Sequence, residues 1–342
     1  MDELHAARGV RRSSEPRPLA RAEPSAALEK LLDAFLDENP NTGLLVLKGD
    51  SVLAERYQYG RTAQHRFASA SVAKTVLGML VGIAVNEKKL SLDDRADQYV
   101  PELKNHPYGD TTIRHLLTMS SGIVFSETYS GRDDGSKLVA NTLHRKTEGG
   151  AATVLEFKQR DVPAGTRFRY ASADSQVLGL VLIAAVKQPL AEYLSDKIWQ
   201  PMGAEANATW ILDKAGYETG YCCLNATLRD YARFGLLLAR YGELDGKQII
   251  PAEWVKAATT PEAAHLRVGS ATPNNGYGYQ TWITHRTEPR FAALGIHGQA
   301  IYVDPATKLV VVHTAAWSDP ADRDARGAQF KLLEAISQLE SQ

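Results

Sequence analysis

The chain of 342 residues carries 39 Lys and Arg against 40 Asp and Glu, and 44% of its residues are hydrophobic. This composition is typical of a folded globular protein and excludes wholesale disorder, collagen and a small disulfide scaffold. Because the formal net charge is only -1, a protein organised around a nucleic-acid phosphate backbone is disfavoured. At roughly 150 residues per domain, the length predicts about two domains or lobes.

The first 24 residues are rich in Arg, Glu and Pro and contain no apolar stretch. We therefore expect residues 1–24 to form a flexible N-terminal arm that carries no secretory signal. The longest apolar runs, 76–85 and 177–186, are about half as long as the roughly 20 residues of a membrane-spanning helix. The sequence thus predicts no membrane partner and leaves the location open between the cytoplasm and, if a signal peptide has been removed, the periplasm. The two cysteines, Cys222 and Cys223, are adjacent, and because neighbouring residues seldom reach disulfide geometry we expect no crosslink between them.

Along the chain, the first predicted element is an amphipathic helix that begins after Ser25, a suitable N-cap. Short alternating runs then predict a β-hairpin over residues 43–48 and 52–59. Helical patterns dominate the middle of the chain, at 71–85, 113–119, 151–158, 173–186 and 228–241. Strand patterns return at 277–284, 290–294, 299–303 and 309–314, before a closing helix at 323–339.

Strands at both ends of the chain and helices between them predict a mixed α/β (α+β) fold. The simplest arrangement is one antiparallel sheet built from both ends of the chain, flanked by the terminal helices, with an inserted helical lobe. The expected α/β sandwich domain comprises residues 25–69 and 276–342. The expected helical domain comprises residues 70–275 and carries the nucleophile and the acid/base.

One motif with chemical potential lies at the start of the strongly apolar helix: Ser71 and Lys74 form the only Ser-x-x-Lys in the chain. Residues three apart lie on one helix face and can touch. A lysine desolvated by apolar neighbours has a lowered pKa, so Lys74 could take the proton that makes the Ser71 hydroxyl a nucleophile. On its own, however, the pattern fits better with a serine that merely caps the helix and a lysine that extends to the surface, because a Ser-x-x-Lys occurs about once by chance in a chain of this length.

Two further segments strengthen the catalytic interpretation. Tyr170 and Ser172 form a Tyr-x-Ser before the apolar run 177–186, and a phenol beside a lysine ammonium can be ionised, accept the serine proton and return it to the leaving group. Later, residues 295–299 read Gly-Ile-His-Gly-Gln before a strand. A glycine there lets a substrate backbone approach closely, and a backbone N–H could join that of Ser71 in an oxyanion hole.

In this order, the motifs resemble the serine β-lactamase/penicillin-binding superfamily. The chain is most similar to its class C-like carboxylesterase and 6-aminohexanoate-dimer (nylon oligomer) hydrolase branch. The similarity spans about residues 40–320. The supporting segments are 67–74, 112–122, 201–203 and 226–235.

The resemblance implies a β-lactamase-like fold and three catalytic residues: Ser71 as the acyl-forming nucleophile, Lys74 as its base partner and Tyr170 as the general acid/base. It also implies an oxyanion hole made by the backbone N–H groups of Ser71 and Gln299. Four residues are candidate substrate contacts on the same grounds: Tyr129, Ser172, His297 and Gly298.

The chain departs from β-lactamases at two of these positions. Ser172 stands where they often carry Asn, and His297-Gly298 stands where Lys-Thr-Gly is usual, which removes a cation expected to bind a β-lactam carboxylate. We therefore expect a serine hydrolase of small ester or amide substrates that forms an acyl-enzyme and needs no metal or organic cofactor. A β-lactamase or D-Ala-D-Ala carboxypeptidase, and a non-catalytic binding protein on the same scaffold, remain the alternatives. The sequence leaves the oligomeric state open.

Overall fold

The computed structural model describes residues 4–341. Its α-helices are α1 (Ala26–Glu38), α2 (Val72–Asn86), α3 (Ile113–Leu117), α4 (Asp134–Thr142), α5 (Ser172–Val186), α6 (Leu190–Leu194), α7 (Leu228–Ala239), α8 (Ala252–Thr259) and α9 (Arg323–Glu340). Its strands are β1 (Ala7–Val10), β2 (Ala20–Arg21), β3 (Gly43–Lys48), β4 (Ser51–Tyr57), β5 (Phe67–Ala68), β6 (Ala208–Ile211), β7 (Leu224–Ala226), β8 (Glu243–Leu244), β9 (Lys247–Gln248), β10 (Gly276–Tyr277), β11 (Trp282–Ile283), β12 (Phe291–Gly295), β13 (Gln299–Asp304) and β14 (Leu309–Thr314).

The main sheet has eight strands in the order β10-β11-β12-β13-β14-β3-β4-β2. Both ends of the chain meet at the pairing of β14 with β3, where Val311 lies opposite Val46. Every neighbouring pair is antiparallel except β2 with β4. The predicted α/β architecture with an antiparallel sheet from both termini is therefore confirmed, with one short parallel strand added at its edge.

The terminal helices α1 and α9 cover one face of this sheet. Their apolar side chains share a buried cluster with alternate residues of the strands, among them Leu28, Leu44, Val311 and Leu333. Helix α7 packs on β3, β13 and β14, although it falls inside the 70–275 segment that we assigned to the helical domain. The sheet is thus covered by helices on both faces, and burial of its apolar residues is the main term that holds it.

The prediction of a flexible N-terminal arm is wrong for the described part of that segment. Strand β1 pairs with β6, and β2 pairs with β4. The arginines that suggested a solvated arm instead reach acids on the body of the protein: Arg8 bonds the fully buried Glu218 at 2.6 Å, and Arg17 bonds Asp245 at 2.8 Å. Residues 1–3 lie outside the described residues.

A second sheet, of four strands in the order β1-β6-β7-β5, was not predicted. Its strands are two to four residues long, too short for an alternating pattern to be visible in the sequence. Strand β5 leads within three residues to Ser71, so this small sheet fixes the approach to helix α2. The predicted helix at 151–158 is also wrong, since only a 3-10 turn forms there, at Gly150–Thr153.

Helix α2 is the centre of the helical region, and its residues from Val72 to Ala84 are all buried. It packs against α5, α8 and strand β12. Within residues 4–341, no single helix has both the length and the apolar character to cross a membrane. Helix α5 and the segment Leu190–Trp199 meet both criteria only when taken together, and this pair is bent by 74°.

The structure joins Cys222 and Cys223 in a disulfide, so the expectation of no crosslink is wrong. The backbone between them leaves the common conformations, because Cys223 has a φ of 76°. Such a local change cannot be inferred from the adjacency of two cysteines. The pair is buried and directly follows Tyr221.

Gly82 lies at a close contact between helix α2 and helix α8. A Cβ at this position would overlap the indole ring of Trp254, and that ring is fixed because its Nε1 donates to the Gly78 carbonyl at 3.0 Å. We predict that Gly82→Ala lowers the free energy of unfolding by about 1–3 kcal/mol, the usual cost of overpacking. Urea denaturation measures this value.

The matched control is Gly327→Ala on the exposed face of α9, where an added Cβ meets no atom within 4 Å. There the substitution should stabilise the protein by about 0.5–1 kcal/mol, because alanine costs less backbone entropy in a helix. Equal stabilities for the two variants would show that the contact between α2 and α8 is not tightly packed.

Candidate active site

Ser71 stands at a strained turn just before helix α2. The preceding Ala70 has a left-handed backbone with a φ of 44°, a conformation that costs a non-glycine residue about 1 kcal/mol or more. The Ser71 side chain does not cap the helix. Its Oγ instead accepts a hydrogen bond from Lys74 Nζ at 2.8 Å. The alternative of a merely capping serine is therefore not what the structure shows.

Lys74 is 1% exposed. Besides Ser71, its ammonium bonds the Tyr221 carbonyl at 2.9 Å. Burial lowers the pKa of Lys74 to about 8, and the nearby Glu127 carboxylate opposes this shift. A substantial fraction of the amine is thus neutral just above physiological pH, which is the form that can accept a proton from Ser71.

Tyr170 lies just before α5 and lines the same cavity as Ser71, whose hydroxyl is near enough to lower the pKa of the phenol in part. Its ring centroid is 5.0 Å from Lys74 Nζ, and the ring stacks on Trp282. Burial and, secondly, the charge of Glu127 raise the pKa of Tyr170 well above its ordinary value. The sequence analysis allowed an ionised phenol at this position, but these surroundings favour the neutral phenol at neutral pH.

Glu127 connects three parts of the site. Its carboxylate accepts hydrogen bonds from the backbone N–H and hydroxyl of Ser172 at 2.8 and 2.7 Å, and from the Tyr129 hydroxyl at 3.1 Å. Ser172, a predicted substrate contact, is 3% exposed and does not line the cavity described below. Both its backbone N–H and its hydroxyl donate to Glu127, so Ser172 holds the Glu127 carboxylate in place and does not face the cavity.

Tyr129, the other loop residue predicted to contact substrate, does line the cavity. Its backbone is left-handed, with a φ of 59°. Asp133, the N-cap of α4, fixes this conformation by accepting the Tyr129 N–H at 2.6 Å. The loop is therefore anchored at its base while the phenol ring faces the cavity.

The turn that follows β12 faces the nucleophile. A Cβ at Gly295 would lie 3.0 Å from the Ser71 nitrogen and 2.7 Å from the Ser69 carbonyl oxygen, so only glycine lets the strand approach this closely. Ile296 lines the same cavity as Ser71, whereas Gln299 does not. Gln299 lies opposite Gly295 on β13, and its side-chain amide donates to the Ala315 carbonyl at 2.8 Å.

His297 and Gly298, predicted to contact substrate, are absent from the cavity lining. His297 Nδ1 lies 2.7 Å from the Trp317 carbonyl oxygen. A Cβ at Gly298 would lie 2.7 Å from the Trp317 ring. Both residues thus pack against the segment that follows β14, on the side of the turn that faces away from the cavity.

A single cavity of about 980 Å³ opens above Ser71 and Tyr170. Its walls combine aromatic and aliphatic side chains with three arginines, a lining suited to a small organic substrate. The lining residues from the C-terminal half of the chain include Asn275, Trp282, His285, Arg290, Leu294, Tyr302, Arg323, Arg326 and Phe330.

Sequence reasoning missed Glu127 as a hub, Trp282 as the stacking partner of Tyr170, and Arg326 as a cavity residue. Tyr129, two residues after Glu127, was named as a candidate site residue but Glu127 itself was not, and Trp282 fell within the predicted strand 277–284. Arg326 stands near the start of a helix with an amphipathic pattern, where an arginine usually belongs to the solvated face. Only the packing of α9 beside the site reveals its position.

The fold and this site identify the class of protein. Residues 28–336 match the family model described as Beta-lactamase, and the chain belongs to that family. It is a hydrolase of the serine β-lactamase superfamily, as the sequence motifs predicted.

Two proteins named as 6-aminohexanoate-dimer hydrolases are similar to this chain over most of its length. The chain is 28% identical over 336 residues to the 6-aminohexanoate-dimer hydrolase of Paenarthrobacter ureafaciens, covering 94% of this chain and 85% of that protein. A structure from Bacillus anthracis, provisionally named a 6-aminohexanoate-dimer hydrolase, superposes with a TM-score of 0.89 at 26% identity, covering 100% of this chain and 93% of that one.

The fold is also shared with EstCE1, a hydrolase with promiscuous acyltransferase activity, at a TM-score of 0.67 and 16% identity. That alignment covers 88% of this chain and 97% of the neighbour.

The pKa of Lys74, about 8, gives a pH prediction. If neutral Lys74 accepts the Ser71 proton, kcat/KM should rise with pH and level off above about pH 8, because the neutral form increases through that pKa. Glu127→Gln removes the negative charge that holds the pKa of Lys74 up. The inflection should therefore move to lower pH in this variant.

The measurement is the pH profile of ester hydrolysis between pH 5 and pH 10, with the exposed Glu253 changed to Gln as the control for loss of a remote carboxylate. An inflection that stays in place in Glu127→Gln would show that the titrating group is not Lys74.

Proposed function

We propose that this protein hydrolyses ester or amide bonds of small substrates through an acyl-enzyme on Ser71. The observation that carries the proposal is a buried, partly neutral lysine bonded to Ser71 Oγ, with the neutral phenol of Tyr170 beside both in the same cavity. Nucleophile and base within hydrogen-bond reach, with the base held by a further group, is the arrangement that activates a serine. Here the Tyr221 carbonyl holds the base.

In the proposed reaction, the Ser71 proton passes to neutral Lys74 while Oγ forms a bond to the substrate carbonyl carbon. The tetrahedral intermediate collapses as the bond to the leaving group breaks. The neutral Tyr170 phenol gives its proton to the leaving group and is reprotonated from Lys74. Water then attacks the carbonyl carbon of the acyl-enzyme and gives its proton to the Tyr170–Lys74 pair. As the bond to Ser71 Oγ breaks, a proton returns to Oγ from that pair and Ser71 is restored.

We infer that the oxyanion is held by the backbone N–H groups of Ser71 and Ile296. The sequence favoured Gln299 as the second donor. Ile296 is preferred because it lines the cavity beside Ser71 and directly follows the glycine that touches the Ser71 backbone. Two such donors stabilise a transition-state oxyanion by several kcal/mol, at roughly 2.7–4 kcal/mol for each donor.

The substrate class rests on the similarity to a 6-aminohexanoate-dimer hydrolase over 94% of this chain. His297 turns away from the cavity to the Trp317 carbonyl, so it gives no support to binding of a β-lactam carboxylate. An esterase or linear-amide hydrolase is therefore preferred to a β-lactamase or D-Ala-D-Ala carboxypeptidase. The complete proton path also argues against a non-catalytic binding protein.

Labelling tests the nucleophile. A fluorophosphonate should form a single adduct on Ser71, because Ser71 is the one serine among the described residues that line the cavity, and its Oγ is bonded to a buried lysine. Peptide mass spectrometry locates the adduct, and Ser71→Ala should remain unlabelled and inactive. Ser126, exposed at the base of the Tyr129 loop, is the matched control, and Ser126→Ala should keep the label. An adduct on another serine with Ser71 unmodified would refute the mechanism.

A substrate panel tests the class. We expect short-chain p-nitrophenyl esters and 6-aminohexanoate dimer to be hydrolysed with a higher kcat/KM than a cephalosporin or a D-Ala-D-Ala peptide. The physical reason is that the cavity is wide and partly aromatic, and that His297, which stands where β-lactamases usually carry a lysine, turns away from it; the arginines of the cavity come from other segments. A wild-type protein that prefers the cephalosporin to every ester and to the linear amide would reverse the assignment.

A further inference from the structure

Arg326 is a guanidinium in the cavity wall without an acidic partner. It lies in the first turns of α9, half-buried, with Cζ 4.9 Å from the ring centroid of Trp317. Among residues 4–341 no carboxylate forms an ion pair with it. Burying a cation without a counterion is costly, so the contacts that it does make need explanation.

Its donors are directed at the turn that faces Ser71. Arg326 Nη2 donates to the Gly295 carbonyl oxygen at 2.5 Å, and Nη1 donates to Gln329 Oε1 at 2.5 Å. One turn further along α9, Gln329 Nε2 donates to the Gly298 carbonyl oxygen at 2.9 Å. The two side chains, which we call the α9 clamp, thus hold both ends of the turn 295–298.

The Gly295 carbonyl belongs to the same peptide group as the Ile296 N–H. Because a trans peptide is planar, its C=O and N–H point in opposite directions. A hydrogen bond that fixes the carbonyl therefore also fixes the direction of the N–H. A charged donor on the carbonyl polarises the amide as well, which makes its N–H a stronger donor.

We propose that Arg326 is a positioning residue for the oxyanion hole, acting on the developing negative charge through the Gly295–Ile296 peptide group. The inference rests on the proposed acyl-enzyme function. It assigns to the C-terminal helix a part in the chemistry, although none of its residues touches the reacting atoms in this role.

The charge of Arg326 also reaches the acid/base. It opposes the upward shift in the pKa of Tyr170 that burial causes. Burial lowers the pKa of Arg326 itself to about 10, so the guanidinium is still protonated at neutral pH. Arg326 therefore keeps a positive charge on the carbonyl side of the Gly295–Ile296 peptide group, independent of the titration of Lys74.

The competing explanation is that the guanidinium binds a carboxylate of the substrate directly. The two explanations differ in what they predict for an uncharged substrate. A positioning residue affects every acyl transfer and acts on the transition state, so kcat falls with little change in KM. A carboxylate-binding residue affects KM, and only for anionic substrates.

The test uses the full-length enzyme and an uncharged ester, p-nitrophenyl acetate, beside the p-nitrophenyl monoester of a dicarboxylic acid. Arg326→Ala should lower kcat for both esters by about ten- to a hundredfold, less than the roughly 10²–10³-fold cost of removing an oxyanion donor outright. KM should change by less than about twofold, as expected when an interaction is made only in the transition state. Phenylboronic acid, whose tetrahedral adduct on serine mimics the intermediate, should lose affinity by a similar factor.

Arg326→Lys keeps a cation that can donate to one carbonyl and should recover part of kcat. Added guanidinium chloride should restore part of the activity of Arg326→Ala. The control is Lys331→Ala, which removes an exposed cation from the same helix outside the cavity lining and should leave kcat and boronate affinity unchanged.

Unchanged kcat for the uncharged ester, with KM raised for the anionic ester alone, would overturn the proposal in favour of carboxylate binding. A loss of kcat without any loss of boronate affinity would also overturn it. If Arg326→Ala does not fold, Arg326→Lys carries the same comparison. Failure of the fluorophosphonate to label Ser71 in the wild type would instead refute the acyl-enzyme function itself.

Discussion

A buried amine is the constraint on which the rest of the site depends. Lys74 is 1% exposed on a helix that is buried from Val72 to Ala84, so its charged form is destabilised by the loss of water. Among the described residues its hydrogen-bond acceptors are the Ser71 hydroxyl and the Tyr221 carbonyl, and the charge of Glu127 also favours the ammonium. Any displacement of either would leave an ammonium with unsatisfied donors in the core, at a cost of several kcal/mol. The elements that supply them are therefore fixed relative to helix α2.

Glycines allow the main sheet to approach helix α2 closely. Gly295 allows the end of β12 to lie against the backbone before α2, and Gly78 and Gly82 allow the other side of α2 to meet Gln280 and Trp254. A helix buried on every side has no polar face with which to adjust its position. Steric fit therefore determines the distance between the nucleophile and the strand that is proposed to complete the oxyanion hole.

The sequence predicted those features that depend on local pattern. The apolar run after Ser71, the i,i+3 spacing of Lys74 and the alternating C-terminal strands each report one element and its buried face. The four-stranded sheet was missed because its short strands have no periodicity of their own and form only by pairing across the chain. Arg8 and Arg17 were misjudged because Glu218 and Asp245, which they bond, lie more than 200 residues away in the sequence.

The site was predictable to a similar extent. The motif order located Ser71 and Tyr170, which the structure brings together, but not the protonation state of Tyr170, because burial and Glu127 decide it. Choosing between Gly295 and Gly298 as the glycine beside the nucleophile was beyond the sequence, since both stand in one short turn. The packing distinguishes them: Gly295 faces Ser71, and Gly298 faces Trp317. Because Gly295 is the glycine beside Ser71, the second backbone donor proposed for the oxyanion hole is Ile296 instead of Gln299.

Helix α9 links stability to the geometry of the site. Its C-terminal half is anchored in the core by Leu332, Leu333 and Ile336, and its N-terminal half lies against the cavity. A helix is stiff over this length, so the apolar anchor determines where Arg326 and Gln329 meet the turn 295–298. The last element of the chain thus closes the hydrophobic face of the sheet and holds the peptide group opposite the nucleophile. Since one rigid element performs both tasks, changes that loosen its packing should act on the oxyanion hole before they unfold the protein.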